Sequence, residues 1–430
     1  MKRTNFYSNI LVLFFIIILA VPVYWLARGK VEPQRSYMEY KTLTVFPTLS
    51  FNSFKSAVKS VLMLRFEEAG EKFFNQFRDL SYQTDFQRAA SQQFPFRGAG
   101  IRLSRDLDRL MIRTAYAFTS DTAIPADRRE QVFLTKDTKV LFPIPAKWTT
   151  TAKEDINLKI EDYRILIEQN PDIHFYVFYV ELIENSLANP MNQYYYNANQ
   201  GREFAYFLEN KPEDLTVSSF PLTSFDDQIK YFYRTDHHWN VHGMLEGYER
   251  VYPMLAENYP DMSAMIPHTS FYTFPDIEFH GRWARSVYFK VHPGDVFEVA
   301  VLDLPPYKIL DQNGNEITYN KKNEYHAGNY SREAFADHYI EYNGADTGYL
   351  EYVFDNDSER NLLIIGDSLT NAIEPLIAAH YQHTYAVDIR HWKDYYFSFS
   401  DFISEHPVDD VLVLGGAGST MHRWRWTISP

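Results

Sequence analysis

The stretch NLLIIGDSLT, residues 361–370, decides the fold that this sequence predicts. Its first part is a short aliphatic run that meets Gly366 directly, which is typical of a buried strand in a parallel sheet. Apolar residues then recur with helical spacing over residues 369–377, where Pro375 must either kink the helix or lie in a first turn that begins later. The stretch therefore predicts a strand, a tight turn that carries Ser368, and a helix.

Ser368 could have either of two roles at this position. In open α/β sheets, ligands bind at the carboxyl ends of the strands, and a helix N-terminus there offers free N–H groups to an anion. A serine so placed can attack a carbonyl and have the resulting oxyanion stabilised. Serine is also a preferred helix N-cap, so the GDS sequence by itself leaves a purely structural role equally open. A second motif has to separate the two.

Composition restricts the classes of function. A chain of 430 residues is long enough for a full catalytic domain with smaller additional segments. Its 42 Lys and Arg against 56 Asp and Glu give a formal net charge of −14, which offers no electrostatic support for nucleic-acid binding. Because cysteine is absent, disulfides, thiolate catalysis and Cys-ligated zinc are excluded.

Residues 10–27, ILVLFFIIILAVPVYWLA, are nearly all apolar and carry no charge. Their number is near the lower end of the ~17–25 residues that span a bilayer, and Tyr24 and Trp25 suit its interface. The run is longer than the apolar region of a cleaved signal peptide, and no A-x-A site follows it. We therefore expect an uncleaved single-pass membrane anchor over residues 1–30, with the bulk of the chain extracytoplasmic.

The remaining chain divides into a connector and a large domain. Residues 31–90 are expected to form a membrane-proximal connector with amphipathic helices. Residues 91–430 alternate helical and strand patterns, including the buried-strand sequence HFYVFYV at residues 174–180, and so predict an α/β domain. Within it, short alternating runs at about residues 271–354 predict a β-rich insertion made of hairpins.

The second motif is YFYRTDHHWN, residues 231–240. A serine becomes a good nucleophile when a histidine, oriented by a carboxylate, accepts its proton. Asp236 and His238 can supply both groups, because residues two apart in extended backbone point the same way while His237 turns away. A helical conformation would weaken this choice between the two histidines.

The same motif is also compatible with a metal site or with a structural histidine pair. His238 and His242 are four residues apart and could belong to an Asp/His metal site. Alternatively, the adjacent histidines could be a buried structural pair beside Trp239.

Three features together resemble the DHHW protein family, which is similar to the SGNH-type acyltransferases and esterases of alginate O-acetylation. These are TDHHW, the upstream FPFR at residues 94–97, and the late strand, GDS and helix. The resemblance covers most of the chain from Phe94 onward, and it implies a three-layer α/β/α, SGNH-hydrolase-like (flavodoxin-like) parallel sheet. It also implies that Ser368 is the nucleophile, His238 the general base and Asp236 the orienting carboxylate, in the family's order along the chain.

One departure from the family concerns the oxyanion. The strand-like residues 411–414 are followed by GGAGS, where relatives often carry an asparagine that can donate to the oxyanion. Gly416 stands near that position, and backbone N–H groups of the turn up to Ser419 are the expected substitutes.

Three further residues are candidates for substrate contact. Arg390 stands where the family carries an Asp-x-Arg, and it could bind a substrate carboxylate, hold the oxyanion or pair with Asp388. Arg282 and Trp283, in HGRWARSV, could line a glycan cleft, although an ordinary surface arginine and a packed tryptophan are equally compatible with the sequence.

The resemblance implies an extracytoplasmic acyltransferase or esterase that adds or removes O-acetyl groups on cell-envelope polysaccharide through a Ser-His-Asp triad. No cofactor, metal or nucleic acid is expected. A transferase with one membrane segment would need a separate polytopic membrane protein to supply acetyl groups. The alternative is a catalytically inactive envelope or glycan-binding protein of the same fold.

Overall fold

The computed structural model describes residues 97–423 apart from residues 120, 130, 318–319, 345–346 and 393–396, together with residues 35–36, 41–42, 88, 92 and 428–429. The chain divides into two compact units, residues 1–104 and 105–430. The predicted membrane anchor and the predicted amphipathic connector helices lie outside the described residues. In the described part of the chain, no helix is both long enough and apolar enough to cross a membrane.

The strands are, in chain order, β1 Arg35–Ser36, β2 Lys41–Thr42, β3 Ala123–Pro125, β4 Val132–Thr135, β5 Leu141–Pro143, β6 His174–Val180, β7 Thr216–Phe220, β8 His268–Phe279, β9 Asp295–Leu302, β10 Tyr307–Leu310, β11 Tyr349–Phe354, β12 Asn361–Gly366, β13 His383–Val387, β14 Phe397–Ser398, β15 Asp410–Gly415 and β16 Ile428–Ser429. The α-helices are Arg97–Ala115, Thr150–Gln169, Arg202–Asn210, Phe225–Tyr231, Val241–Ala256, Arg282–Val287, Asn320–His326, His338–Asn343, Glu374–Ala378, Phe399–Glu405 and Ala417–Thr420.

The second unit is built on a sheet with the strand order β10-β11-β13-β12-β15-β6-β7. The strands from β13 to β7 run parallel to one another, whereas β10 and β11 are antiparallel additions at one edge. Every residue of β12 and β15 is buried, as continuous apolar runs in a covered parallel sheet require. The prediction of an α/β fold with a largely parallel sheet is confirmed.

Helices cover both faces of this sheet. On one face, the helices Thr150–Gln169, Arg202–Asn210 and Phe399–Glu405 pack with alternate residues of the central strands in one apolar core. On the other face, the helix Glu374–Ala378 packs against β11 and β13 and contacts the helix Val241–Ala256. The central strands therefore lie in the middle layer of three, and their carboxyl ends meet at one edge.

The helix after β12 begins later than Ser368, and Pro375 lies in its first turn. A 3-10 turn, Thr370–Ala372, comes first, and the helix Glu374–Ala378 then begins with Pro375 in its first turn. Proline is tolerated there because its missing N–H has no intrahelical partner to lose. Gly366 is the last residue of the strand, and a Cβ at this position would collide with the side chain of Thr370.

Residues 271–354 contain more than hairpins. β8 and β9 form the expected antiparallel pair, but helices follow within the same interval and its last strands, β10 and β11, join the main sheet. The helices Arg282–Val287 and His338–Asn343 are only 6 residues long, too short to give a readable helical period. The interval is thus mixed in structure and partly integral to the sheet.

Candidate active site

Ser368 lies two residues beyond β12, at the carboxyl edge of the sheet, and is 7% exposed. Its Oγ is 2.7 Å from Nε2 of His238, a residue 130 positions away in the chain. Capping of the following turn falls to Asp367 instead, whose Oδ1 accepts the N–H of Leu369 at 3.0 Å and whose carbonyl accepts that of Thr370 at 2.9 Å. The Ser368 hydroxyl is therefore directed at a histidine, which a purely capping role does not require.

His238 also contacts a carboxylate through its other ring nitrogen. Its Nδ1 is 2.7 Å from Oδ1 of Asp236, and its backbone N–H donates to the same oxygen at 3.0 Å. Because a carboxylate can only accept, Nδ1 carries the proton, which leaves Nε2 as the acceptor for the Ser368 hydroxyl. The predicted residues Asp236, His238 and Ser368 thus form one hydrogen-bonded series with the polarity that a serine nucleophile needs.

The backbone around this pair is a tight turn, which differs from the expected extended segment. The N–H of Tyr233 donates to the carbonyl of His238, and the N–H of Asp236 donates to that of Tyr233. As a result, the ring of His237 does not turn away from Asp236. Its Nδ1 lies 3.1 Å from Oδ1 of Asp236. Asp236 therefore lies against both histidines, since a turn brings consecutive side chains together where a strand separates them.

The second oxygen of Asp236 is held from another part of the chain. Oδ2 accepts the backbone N–H of Arg282 at the start of the helix Arg282–Val287. The preceding N–H, that of Gly281, donates to Oγ1 of Thr235 at 2.9 Å. A Cβ at Gly281 would collide with the Asp236 carboxylate, so only glycine permits this approach. Both oxygens of the buried carboxylate consequently have donors.

The charges of the site follow from this packing. Burial by itself would raise the pKa of Asp236, but His238 and His237 outweigh it and hold the pKa well below its usual range. Burial lowers the pKa of His238, and the neighbouring His237 lowers it further. Near neutral pH, Asp236 is therefore a carboxylate and His238 a neutral imidazole, the states required of an orienting group and a general base.

Tyr339 is a site residue that the sequence did not reveal. Its ring stacks on that of His238, with centroids 4.0 Å apart and 16° between the planes. Its hydroxyl donates to the backbone carbonyl of Ser368 at 3.1 Å. With 32 tyrosines in the chain and no local motif around residue 339, nothing in the sequence distinguishes this one.

Two of the candidate oxyanion donors after β15 are engaged elsewhere. The N–H of Gly416 donates to Oδ2 of Asp367 at 3.2 Å, and the hydroxyl of Ser419 donates to the same oxygen at 2.6 Å. These two donors position Asp367 and hence the turn that carries Ser368. Among the described residues, the backbone N–H of Ser368 itself has no acceptor, so this amide remains open to an oxyanion.

The three substrate-contact candidates have different surroundings. Arg390 binds Asp388 through Nε at 2.9 Å and Nη2 at 2.5 Å, so of its three expected roles the ion pair fits its position. Trp283 is 7% exposed, which fits the packed tryptophan that the sequence also allows. Arg282 has an exposed side chain and makes no ion pair with any described residue.

The metal alternative involves different residues from those anticipated. His242 lies apart, in the helix Val241–Ala256, with Nε2 3.5 Å from Glu298. Asp236, His237 and His238 do bring ligand atoms within 4.8 Å of one another, a spacing that could hold an ion. An ion bound between Oδ1 of Asp236 and Nδ1 of His238 would have to displace the hydrogen bond that joins these atoms.

Solved structures resemble this fold. Bacillus cereus PatB1, solved with a sulfonyl adduct, is 18% identical, with a TM-score of 0.52 over 68% of this chain and 97% of that chain. The chain shares the fold of PatB1.

A DHHW family protein from Eubacterium siraeum also matches, at 14% identity and a TM-score of 0.49 over 68% of this chain and 92% of that one. The O-acetyltransferase domain of Pseudomonas putida AlgJ matches at 11% identity and a TM-score of 0.28, over 66% of this chain and 90% of that one. The suspected family is thus represented among the matched structures. No family model matches the sequence, and no curated protein does.

Proposed function

We propose that the protein is a serine-dependent acyl-transfer enzyme that adds or removes O-acetyl groups on cell-envelope polysaccharide. The observation that carries this proposal is the hydrogen-bonded series from Asp236 through His238 to Ser368, with distances of 2.7 Å at both steps. His238 and Ser368 are 130 residues apart in the chain. They meet at the carboxyl edge of the sheet, which is where α/β proteins bind ligands.

The reaction follows from the protonation states. Ser368 Oγ attacks the acetyl carbonyl carbon while its proton passes to Nε2 of His238, and the N–H of Ser368 donates to the developing oxyanion. The ester C–O bond then breaks, and the leaving oxygen takes the proton from His238. In the second half, a sugar hydroxyl or water gives its proton to His238 and attacks the acetyl-enzyme, which frees Ser368.

The cellular setting is part of the proposal. Residues 10–27 would anchor the chain in the membrane as a single pass, with the bulk of the chain extracytoplasmic and close to envelope glycans. As a transferase, the protein would depend on a polytopic membrane partner that delivers acetyl groups.

Hydrolysis of 4-methylumbelliferyl acetate by the detergent-solubilised chain tests the proposal. We expect Ser368→Ala to lower kcat by ~10³-fold or more, because removal of the nucleophile removes the acyl-enzyme route. Ser404→Ala is the matched control, because Ser404 is exposed and, among the described residues, its hydroxyl bonds the local carbonyl of Asp401. Equal rates for the wild type and Ser368→Ala would overturn the enzymatic function.

One observation favours a second candidate, an inactive glycan-binding protein of the same fold. The donors of Gly416 and Ser419 are committed to Asp367, and no side-chain donor stands at the position where relatives often have asparagine. This candidate predicts polysaccharide binding by both the wild type and Ser368→Ala, with ester hydrolysis by neither.

A further inference from the structure

A cavity of about 60 Å³ lies next to Tyr339 and is separate from the triad. Its walls come from β9, the helix Val241–Ala256, the two helices between β10 and β11, and the turn that follows β12. None of Asp236, His238 and Ser368 lines it. The cavity is therefore a space that the proposed proton transfers do not use.

The indole of Trp239 brings an unused donor to this cavity. Trp239 lines the cavity and is fully buried, and its Nε1 has no hydrogen-bond partner among the described residues. A Cβ at Gly247 would be 2.7 Å from Cζ3 and 3.1 Å from Cη2 of the indole, so the six-membered ring packs against the helix Val241–Ala256. The N–H belongs to the other ring and does not point at that helix. An unpaired buried N–H costs free energy, which an acceptor bound in the cavity offsets.

Lys322 supplies a second donor at the same cavity. It lines the cavity from the first helix after β10, and its Nζ lies 5.5 Å from the centroid of the Tyr342 ring. No described residue forms a hydrogen bond or an ion pair with it. Glu298, the acidic residue of the lining, has other partners, because its Oε1 accepts from Oγ1 of Thr273 at 2.8 Å and its Oε2 lies 3.5 Å from Nε2 of His242. The charge of Lys322 is thus available to a ligand.

Most of the remaining lining is apolar or aromatic. It includes Met244 from the helix Val241–Ala256, Phe297 and Val299 from β9, and the ring of Tyr342. Such walls suit an alkyl group, whereas the two donors require an oxygen that accepts, preferably a charged one. A volume of about 60 Å³ admits only a few non-hydrogen atoms, so the ligand must be small.

We propose that this cavity binds a short-chain carboxylate, of the size of acetate or propionate. The carboxylate accepts hydrogen bonds from Nε1 of Trp239 and Nζ of Lys322, and its alkyl group packs against Phe297 and Tyr342. Binding is reversible and involves no covalent step. The site goes beyond the proposed function and does not depend on acyl transfer at Ser368.

The site nevertheless shares one side chain with the triad. Tyr339 lines the cavity, stacks on His238 and donates to the carbonyl of Ser368. A bound carboxylate therefore lies against the residue that contacts both the proposed base and the proposed nucleophile.

The experiment follows the indole N–H groups directly. The full-length chain, labelled with ¹⁵N at its seven tryptophans and solubilised in detergent, is titrated with sodium acetate in place of sodium chloride at constant ionic strength. We expect one indole resonance to move downfield and to saturate, because that N–H gains a charged acceptor. The same resonance should be missing from the spectrum of Trp239→Phe.

Variants of the lining and of its surroundings test the assignment. Lys322→Met should weaken acetate binding by about tenfold or more, the effect of losing a hydrogen bond between charged groups. Lys308→Met is the matched control, because it removes an exposed charge on β10 outside the lining and should keep the wild-type dissociation constant. Ser368→Ala should keep it as well. The comparison with Lys322→Met needs only the resonance that responds in the wild type, so it holds even where Trp239→Phe does not fold.

Three results would overturn the carboxylate site. They are the absence of a saturable shift of the Trp239 indole, an equal shift when sodium chloride alone is raised, and wild-type affinity in Lys322→Met. Loss of the response in Ser368→Ala would place the acetate at the triad and overturn a separate site. Because the readout is binding and not ester hydrolysis, failure of the site leaves the proposed function standing, and failure of the proposed function leaves the site standing.

Discussion

The ring of Tyr339 lies parallel to that of His238 at a centroid distance of 4.0 Å, and the hydroxyl of the same tyrosine donates to the carbonyl of Ser368. One side chain thus contacts both the proposed base and the backbone of the proposed nucleophile. Being 2% exposed, it has little freedom to move away. We conclude that Tyr339 positions the two groups relative to each other.

The element that carries Tyr339 is tied to the support of Asp236. Asp337, the N-cap of the helix His338–Asn343, forms an ion pair with Arg285 at 2.8 Å. Arg285 belongs to the helix whose first N–H donates to Asp236. The segment between β8 and β12 therefore supports the triad at both ends.

Substitutions of Tyr339 should separate its two contacts. Tyr339→Phe keeps the stack and loses one hydrogen bond of about 1 kcal/mol, so we expect kcat for ester hydrolysis to fall by about fivefold. Tyr339→Leu loses the stack as well and leaves a cavity, so kcat should fall further and unfolding should cost roughly 3 kcal/mol less. Steady-state kinetics and urea unfolding check this. Wild-type kcat in Tyr339→Leu would contradict the positioning role.

The pH dependence of turnover should report His238. The reaction needs its neutral form, so kcat/KM falls as the pH drops through its pKa, which burial and His237 place below the ordinary 6.5. His237→Gln removes one of these two causes, so the acid limb of the profile should move to higher pH. His242→Gln, at an exposed residue beside Glu298, should keep the wild-type limb. If the acid limb of His237→Gln lies at the wild-type pH or at a lower pH, the two rings do not interact as described.

Ser419→Ala distinguishes a structural donor from an oxyanion donor. Its bond to Asp367 is 2.6 Å long and involves a charge, so its loss should cost about 2 kcal/mol of stability in urea unfolding. A donor to the oxyanion would instead lower kcat by ~10²-fold or more with little loss of stability. The structure predicts a loss of stability with little change in kcat. A large fall in kcat with little loss of stability would show that Ser419 donates to the oxyanion.

Lys159 should make stability depend on pH. It is fully buried in the helix Thr150–Gln169, with Nζ 5.1 Å from the centroid of the Tyr163 ring. Burial lowers its pKa from 10.5 to about 7, despite the opposing charge of Asp162. Between these values the unfolded chain binds a proton that the folded chain lacks, so this residue makes stability rise with pH by up to about 1.4 kcal/mol per pH unit.

Lys159→Met removes this titration. The difference in unfolding free energy between the wild type and Lys159→Met, measured in urea at several pH values within that window, should therefore increase with pH in favour of the wild type. A constant difference would show that Lys159 keeps its proton in the folded state.

Local sequence patterns predicted the central strands well. The runs at residues 362–365, 174–180 and 411–414 correspond to β12, β6 and β15, because buried parallel strands are continuous apolar segments that end at glycine or at a polar turn. The antiparallel edge of the sheet was not predicted, because pairing partners distant in sequence leave no local pattern in β10 and β11.

For the site, the sequence supplied the residue types and the structure supplied their partners. Asp236, His238 and Ser368 stood out because their spacing and motifs have a chemical reason. The roles of Asp367 and Tyr339 depend on contacts made across more than 25 residues, with Ser419 and His238 respectively, which no short motif encodes. The prediction for His237 was wrong because its backbone forms a tight turn rather than a strand.

The central claim, that His238 activates Ser368 as a nucleophile, is tested most directly by covalent labelling. The full-length protein would be treated with a sulfonyl fluoride, digested, and mapped by mass spectrometry, alongside Ser368→Ala and His238→Asn. We predict one adduct on Ser368 in the wild type, none in Ser368→Ala, and labelling slowed by ~10²-fold or more in His238→Asn, because the base contributes at least that factor. Labelling of His238→Asn at the wild-type rate, or an adduct that persists in Ser368→Ala, would contradict the claim.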